Sequence, residues 1–221
     1  MFGNIIMKHH IKTLTIITDS LSLSRDCTPI ESTWVDRFMQ TMGGGAKIYF
    51  FPQRGRHTKD IILQKQDLLT YQKADIVIIQ VSVVDACRRI IKRGWERILL
   101  TLPITRYLYK IISKRLMFHL TSLYKFHYVS PTCFKENIYH IAPPGKKLIE
   151  KVYNIQEDIN HYNAILEECS LEKHFTIAQA FKDCDKNHIT IADGHHLSRY
   201  GHSLVLNCLV KILKSRAFER I

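Results

Sequence analysis

No C-x-x-C pair occurs among the six cysteines, Cys27, Cys87, Cys133, Cys169, Cys184 and Cys208. A zinc ribbon or a redox dithiol needs that spacing, so neither is expected, and the cysteines read as reduced thiols. Nor is there an apolar run approaching the ~18–20 residues that span a bilayer. Met1–His10 lacks an apolar core long enough for a signal peptide. A cytoplasmic location is therefore expected, with a peripheral place at a membrane left open. Helix-turn-helix patterns and aromatic-basic RNA motifs are missing too, which argues against nucleic acid as a partner. Repeats, low-complexity tracts and linkers are absent, so residues 1–221 read as one domain.

Acids are scarce where bases are dense. The chain carries a formal net charge of +12. Between Ala86 and Ser130 stand ten Lys or Arg and a single acid, Glu96. This stretch reads as a basic helical insertion at about 88–128. Leu100, Ile104, Leu108, Ile111, Ile112 and Leu116 fall at helical spacing within it, with Arg106, Lys110, Lys114 and Arg115 between them. Such a helix either packs on its own domain or lies on a membrane surface. Its charge favours anionic partners, such as an anionic glycan or an anionic lipid surface.

The remaining sequence alternates strands and helices. Thr13–Thr18 is a β-branched run and reads as a strand. Thr33–Met42 has helical spacing and meets Gly43-Gly44-Gly45, a helix stop. Ala46–Phe51 reads as a second strand and Thr58–Thr70 as a helix. Ala74–Val81 is almost wholly apolar, as a central strand covered on both faces should be. Ile138–Ala142 is expected as the fourth strand, Leu148–Glu168 as a long helix, Phe175–Ala178 as the fifth strand and Ser198–Ser215 as the last helix. The fold class expected is α/β: three layers, doubly wound and flavodoxin-like, with a mainly parallel five-stranded sheet.

In such sheets the active site lies beyond the carboxyl ends of the strands. Ser20 follows the first strand, Gly55 the second and Asp85 the third, so all three should face one crevice. Asp193-Gly194-His195-His196 precedes the last helix and can close over it. Serine is a weak nucleophile until a base takes its proton, and histidine is suited to that task near neutral pH. A carboxylate fixes the imidazole tautomer. The candidate catalytic residues are therefore Ser20, His196 and Asp193. A metal site from Asp193, His195, His196 and His202 is the weaker alternative, since no further acid cluster accompanies them. No cofactor or metal is expected.

The sequence resembles the SGNH-type (GDSL) hydrolases over nearly its whole length. Thr18-Asp19-Ser20-Leu21 is similar to their first block, with Thr18 in place of the glycine. Arg54-Gly55-Arg56-His57-Thr58-Lys59-Asp60 is similar to the second, Ser82-Val83-Val84-Asp85 to the third, and Asp193-Gly194-His195-His196 to the last. Leu197, Gly201-His202 and the segment Ile159–Leu166, with Tyr162-Asn163, also resemble the family. The resemblance implies an oxyanion hole built from the backbone N–H groups of Ser20 and Gly55. The family's third donor is an asparagine. Here Val84 stands in its place and cannot donate, leaving Ser82 or Gln80 as candidates. Asp19 and Asp85 are expected to be structural residues near the site.

The variant pattern resembles SGNH proteins found with bacterial surface-polysaccharide biosynthesis. It implies a serine esterase acting on O-acyl, especially acetyl, esters of a carbohydrate. An acyltransferase on the same scaffold, delivering the acyl group to a sugar hydroxyl, is equally compatible. A catalytically weak or non-catalytic binding protein is the third reading, motivated by Val84 and the basic segment.

Overall fold

The computed structural model describes residues 11–42, 45–64, 68, 73–81, 83–89, 101, 103, 107, 126–141, 147–150, 157–173, 175–181, 188–191 and 196–218. Its centre is a five-stranded parallel sheet in the order β2-β1-β3-β6-β7. The strands are β1 (Thr13–Thr18), β2 (Lys47–Pro52), β3 (Ile76–Gln80), β6 (Lys147–Glu150) and β7 (Thr176–Ala178). The sheet is thus the expected doubly wound α/β arrangement, with the order reversing beside β1. β4 (Arg88–Arg89) and β5 (Phe126–His127) lie apart, as a short antiparallel ribbon.

β1 and β3 are β-branched and apolar because both of their faces are covered. Their period of two divides the core into two layers. Leu14, Ile16 and Ile78 face one layer, where they meet Trp34, Val35 and Phe38 of α1 (Trp34–Met42) and Val205, Leu209 and Leu213 of α6 (Arg199–Phe218). Ile17, Val77 and Ile79 face the other. There they meet Ile61 of α2 (Thr58–Leu63), Phe134 and Ile138 of α4 (Pro131–Ile141), and Tyr162 and Leu166 of α5 (Glu157–Lys173). Trp34 and Phe38 are fully buried, and truncating either to alanine should cost about 3–5 kcal/mol.

Two elements differ from the sequence expectation. Residues 138–141 are helical, not the fourth strand: they end α4. Pro131 sits at the first helical position, where its missing N–H is harmless, and the Ser130 hydroxyl accepts from the Cys133 N–H at 3.2 Å. Phe134, Ile138 and Ile141 then bury one helical face. The fourth sheet strand is instead β6, which occupies the start of the segment expected to be helical; α5 begins only at Glu157. The expected helix after β2 begins at Thr58, and its described part ends at Leu63. Most of 88–128 lies outside the described residues, as do Gly43 and Gly44. The described ends of the basic stretch pair with each other, Arg88 with His127 and Arg89 with Phe126.

Among the described residues no helix is long and apolar enough to cross a membrane.

Candidate active site

β1 pairs in parallel with both β2 and β3, so the carboxyl ends of all three strands share one edge of the sheet. Asp19 and Ser20 leave β1 at this edge. The turn is held locally: the Asp19 carboxylate accepts from the Leu21 N–H at 2.8 Å, and the Ser22 hydroxyl donates to the Asp19 carbonyl at 3.1 Å. The Thr18 and Ser22 hydroxyls also meet at 2.6 Å. Ser20 emerges from this knot only 9% exposed.

His196 comes from the far end of the chain, 176 positions on, and places Nε2 3.4 Å from Ser20 Oγ. Its backbone is fixed beside an antiparallel bridge between Thr190 and Leu197. Ile191 N–H donates to the His196 carbonyl at 2.9 Å, and Ser198 N–H to the Ile189 carbonyl at 2.8 Å. Gly201, in the first turn of α6, lets the Ile189 backbone pack closely. A Cβ there would stand 2.3 Å from the Ile189 carbonyl oxygen. Ser198 caps the same helix, its hydroxyl accepting from the Gly201 N–H at 3.1 Å. Asp193 and His195 lie outside the described residues.

Gly55 turns the chain from β2 into α2 with φ +66°. A Cβ there would meet nothing within 4 Å, so the glycine answers a backbone conformation, not a steric limit. His57 caps α2 with a reciprocal pair of hydrogen bonds to Asp60. Asp85, in the single helical turn α3 (Val83–Ala86) after β3, is fully buried. It accepts from Thr58 through the backbone N–H at 2.9 Å and the hydroxyl at 2.7 Å. Asn137 donates to the same hydroxyl at 2.9 Å. Val84 beside it is buried and offers no donor. Gln80 is fully buried, and Ser82 lies outside the described residues.

Two charged groups at this edge gave no clear signal in the sequence. Arg56 is buried and donates to the Phe51 carbonyl at 2.7 Å and to Gln53 and Gln64 side chains at 3.1–3.3 Å. Arg25 directs Nη2 to His196 Nε2. Nothing in a lone arginine five residues after Ser20 marks it; the contact depends on a turn from the other end of the chain.

Burial pushes the Asp19 carboxyl up to about 7, with the charge of Asp85 adding to the rise and the Leu21 N–H and Arg56 opposing it. His202, one helical turn into α6, accepts from the Trp34 N–H through Nδ1 at 3.2 Å. Burial, aided by the Arg37 charge, pushes its imidazole down to about 4. It is thus a neutral core acceptor joining α6 to α1 at neutral pH. Among the described residues no cluster of three metal-ligating side chains occurs.

Comparison with models of known protein families and with curated protein sequences finds no match. Solved structures do match. A lipase/acylhydrolase from Enterococcus faecalis superposes with a TM-score of 0.62 at 16% identity, over 93% of this chain and 96% of that one. An acetylxylan esterase from Geobacillus stearothermophilus gives 0.58 at 14% identity, over 91% and 94%. An α/β hydrolase from the metagenome of Lake Arreo, Spain, gives 0.57 at 13%, with the same coverage. The chain shares their fold. Catalytic mutants of the Geobacillus esterase carry alanine in place of a serine, an aspartate or a histidine.

Proposed function

We propose that this chain is a serine esterase that removes O-acyl groups, chiefly acetyl, from a carbohydrate through Ser20, His196 and Asp193. One observation carries the reading: Ser20 Oγ and His196 Nε2 stand 3.4 Å apart at the carboxyl edge of a parallel sheet. The fold it shares with an acylhydrolase and an acetylxylan esterase supports the reaction class.

The steps follow from the side chains. Ser20 Oγ attacks the ester carbonyl while its proton passes to His196 Nε2. The carbonyl oxygen becomes an oxyanion, and the N–H groups of Ser20 and Gly55 receive it. Collapse expels the sugar alkoxide, which takes the proton from His196 and leaves as the alcohol. The acyl group stays on Ser20. A water then gives its proton to His196 and attacks the acyl carbon; the second collapse returns the proton to Ser20 and releases the carboxylic acid. Asp193 accepts from Nδ1–H throughout. One missing oxyanion donor typically lowers rate by ~10²–10³. With Val84 at the third position, turnover is therefore expected to be slow unless Gln80 or Ser82 supplies that bond.

The same acyl-enzyme delivers to a sugar hydroxyl if an acceptor outcompetes water, as polysaccharide biosynthesis would require. Incubation with mono-O-acetylated methyl glycosides, with and without acceptor sugar, separates the two by mass spectrometry. Ser20-dependent release of acetate supports the esterase. Acetyl transfer in its place supports the transferase. Turnover unchanged in Ser20→Ala overturns both.

A further inference from the structure

Arg25 stands in the site, yet the reaction above gives it no task. Its backbone is fixed by two hydrogen bonds with Thr28, Arg25 N–H to the Thr28 carbonyl and Thr28 N–H to the Arg25 carbonyl, each 2.9 Å. From that turn its Nη2 reaches His196 Nε2, the nitrogen that Ser20 Oγ approaches at 3.4 Å.

A guanidinium only donates and does not give up its proton in proteins. His196 Nε2 is therefore the acceptor, with the ring proton on Nδ1. That is the tautomer a serine hydrolase needs, but the lone pair is contested. An imidazole nitrogen has one in-plane lone pair. Arg25 takes it in this structure, and Ser20 stands beyond the ~2.7–2.8 Å typical of a hydroxyl hydrogen bond. The base is thus held in the correct tautomer but engaged. It is released when the guanidinium finds a better partner. A carboxylate or phosphate is such a partner, because two parallel N–H···O bonds match the guanidinium fork. The net charge of +12 draws such groups in.

We propose that Arg25 is the specificity residue of the site: it binds a carboxylate or phosphate on the sugar, near the scissile ester, and in turning to that group frees His196 Nε2 for Ser20. The substrate class is then an O-acylated acidic sugar, either a uronic acid or a sugar phosphate. This inference rests on the esterase reading of the same site.

The test uses three mono-O-acetylated sugars: methyl glucuronoside, glucose 6-phosphate and neutral methyl glucoside. Wild type should show at least tenfold higher kcat/KM on an acidic ester than on the neutral one; which acidic ester is preferred identifies the source of the anion. Arg25→Gln should abolish that preference from both sides, slowing the acidic ester and speeding the neutral one several-fold because the base is no longer engaged. Arg25→Lys, which keeps the charge without the fork, should fall between and guards against a folding defect. Equal loss on both esters, or no change on either, overturns the proposal. A binding arm stands apart from turnover. By calorimetry, Ser20→Ala should bind the unacetylated methyl glucuronoside or glucose 6-phosphate as wild type does, and Arg25→Gln at least tenfold more weakly. If turnover proves independent of Ser20, the esterase reading fails; anion recognition by Arg25 is then judged by this arm alone, and equal affinities in Arg25→Gln and wild type overturn it.

Discussion

Asp85, just after β3, receives both the backbone N–H and the hydroxyl of Thr58, the first residue of α2, at 2.9 and 2.7 Å. The contact ties together the loops after β2 and β3, the two strands that flank β1. Both residues are fully buried. Removing the carboxylate leaves two donors without their acceptor, each worth about 1–3 kcal/mol. Asp85→Ala should therefore lower unfolding stability by roughly 2–4 kcal/mol in urea titrations. Asp85→Asn, which keeps one carbonyl acceptor, should lose less. Equal stability in Asp85→Ala and wild type would show that the link contributes nothing.

Gly201 reverses an ordinary rule. Inside a helix, glycine to alanine usually stabilises by about 1 kcal/mol. Here the added methyl would stand 2.3 Å from the Ile189 carbonyl oxygen, a backbone atom that cannot swing aside. Gly201→Ala should destabilise the chain and shift the 189–191 backbone that is hydrogen-bonded to His196, lowering Ser20-dependent turnover at least tenfold. Helicity by circular dichroism should be nearly unchanged. A stabilised, fully active Gly201→Ala would contradict the close approach.

Asp19 and His202 should pull stability in opposite directions with pH. The folded chain holds the Asp19 proton up to about pH 7, whereas an ordinary aspartate releases it near 3.8. Between these values the folded state binds the extra proton, so this contribution falls as pH rises. His202 releases its proton at about 4 in the folded chain, against an ordinary 6.5. There the unfolded state binds the extra proton, so stability rises with pH. The two offset each other from about pH 4 to 6.5, each with a slope of at most ~1.4 kcal/mol per pH unit. Asp19→Asn should therefore climb more steeply with pH than wild type, and His202→Gln should descend. Parallel pH profiles for all three proteins would rule out this balance.

Gly55→Ala tests the second turn. At φ +66° an alanine costs roughly 1–2 kcal/mol, though space is open around it. Stability should drop by about that amount. Turnover should drop further than stability if the Gly55 N–H serves the oxyanion, because tilting that peptide misaims the donor. A variant that loses stability but keeps full kcat would remove Gly55 from the oxyanion hole.

The strand leading to Ser20 was plain in the sequence, because six β-branched or apolar residues in the middle of a sheet leave no ambiguity of period. β3 was legible for the same reason. β6 was not. It has four residues, only two of them apolar, and Ile138–Ala142 just upstream is too short to distinguish a period of two from one of 3.6. The capping Ser130-Pro131 pair was the signal that would have decided it. At the site, Ser20, Gly55 and Asp85 could be placed on one edge from strand order alone. Arg25 could not, since its position is set by a contact across 171 residues.

The most direct measurement is labelling of the purified chain with a neutral fluorophosphonate, with the adduct mapped by mass spectrometry. Ser20 should carry the adduct in wild type and, faster, in Arg25→Gln. Ser20→Ala should carry none there, and His196→Ala should label at least a hundredfold more slowly. Folded wild type and Arg25→Gln that both leave Ser20 unmodified, or labelling that does not depend on His196, would contradict an activated serine.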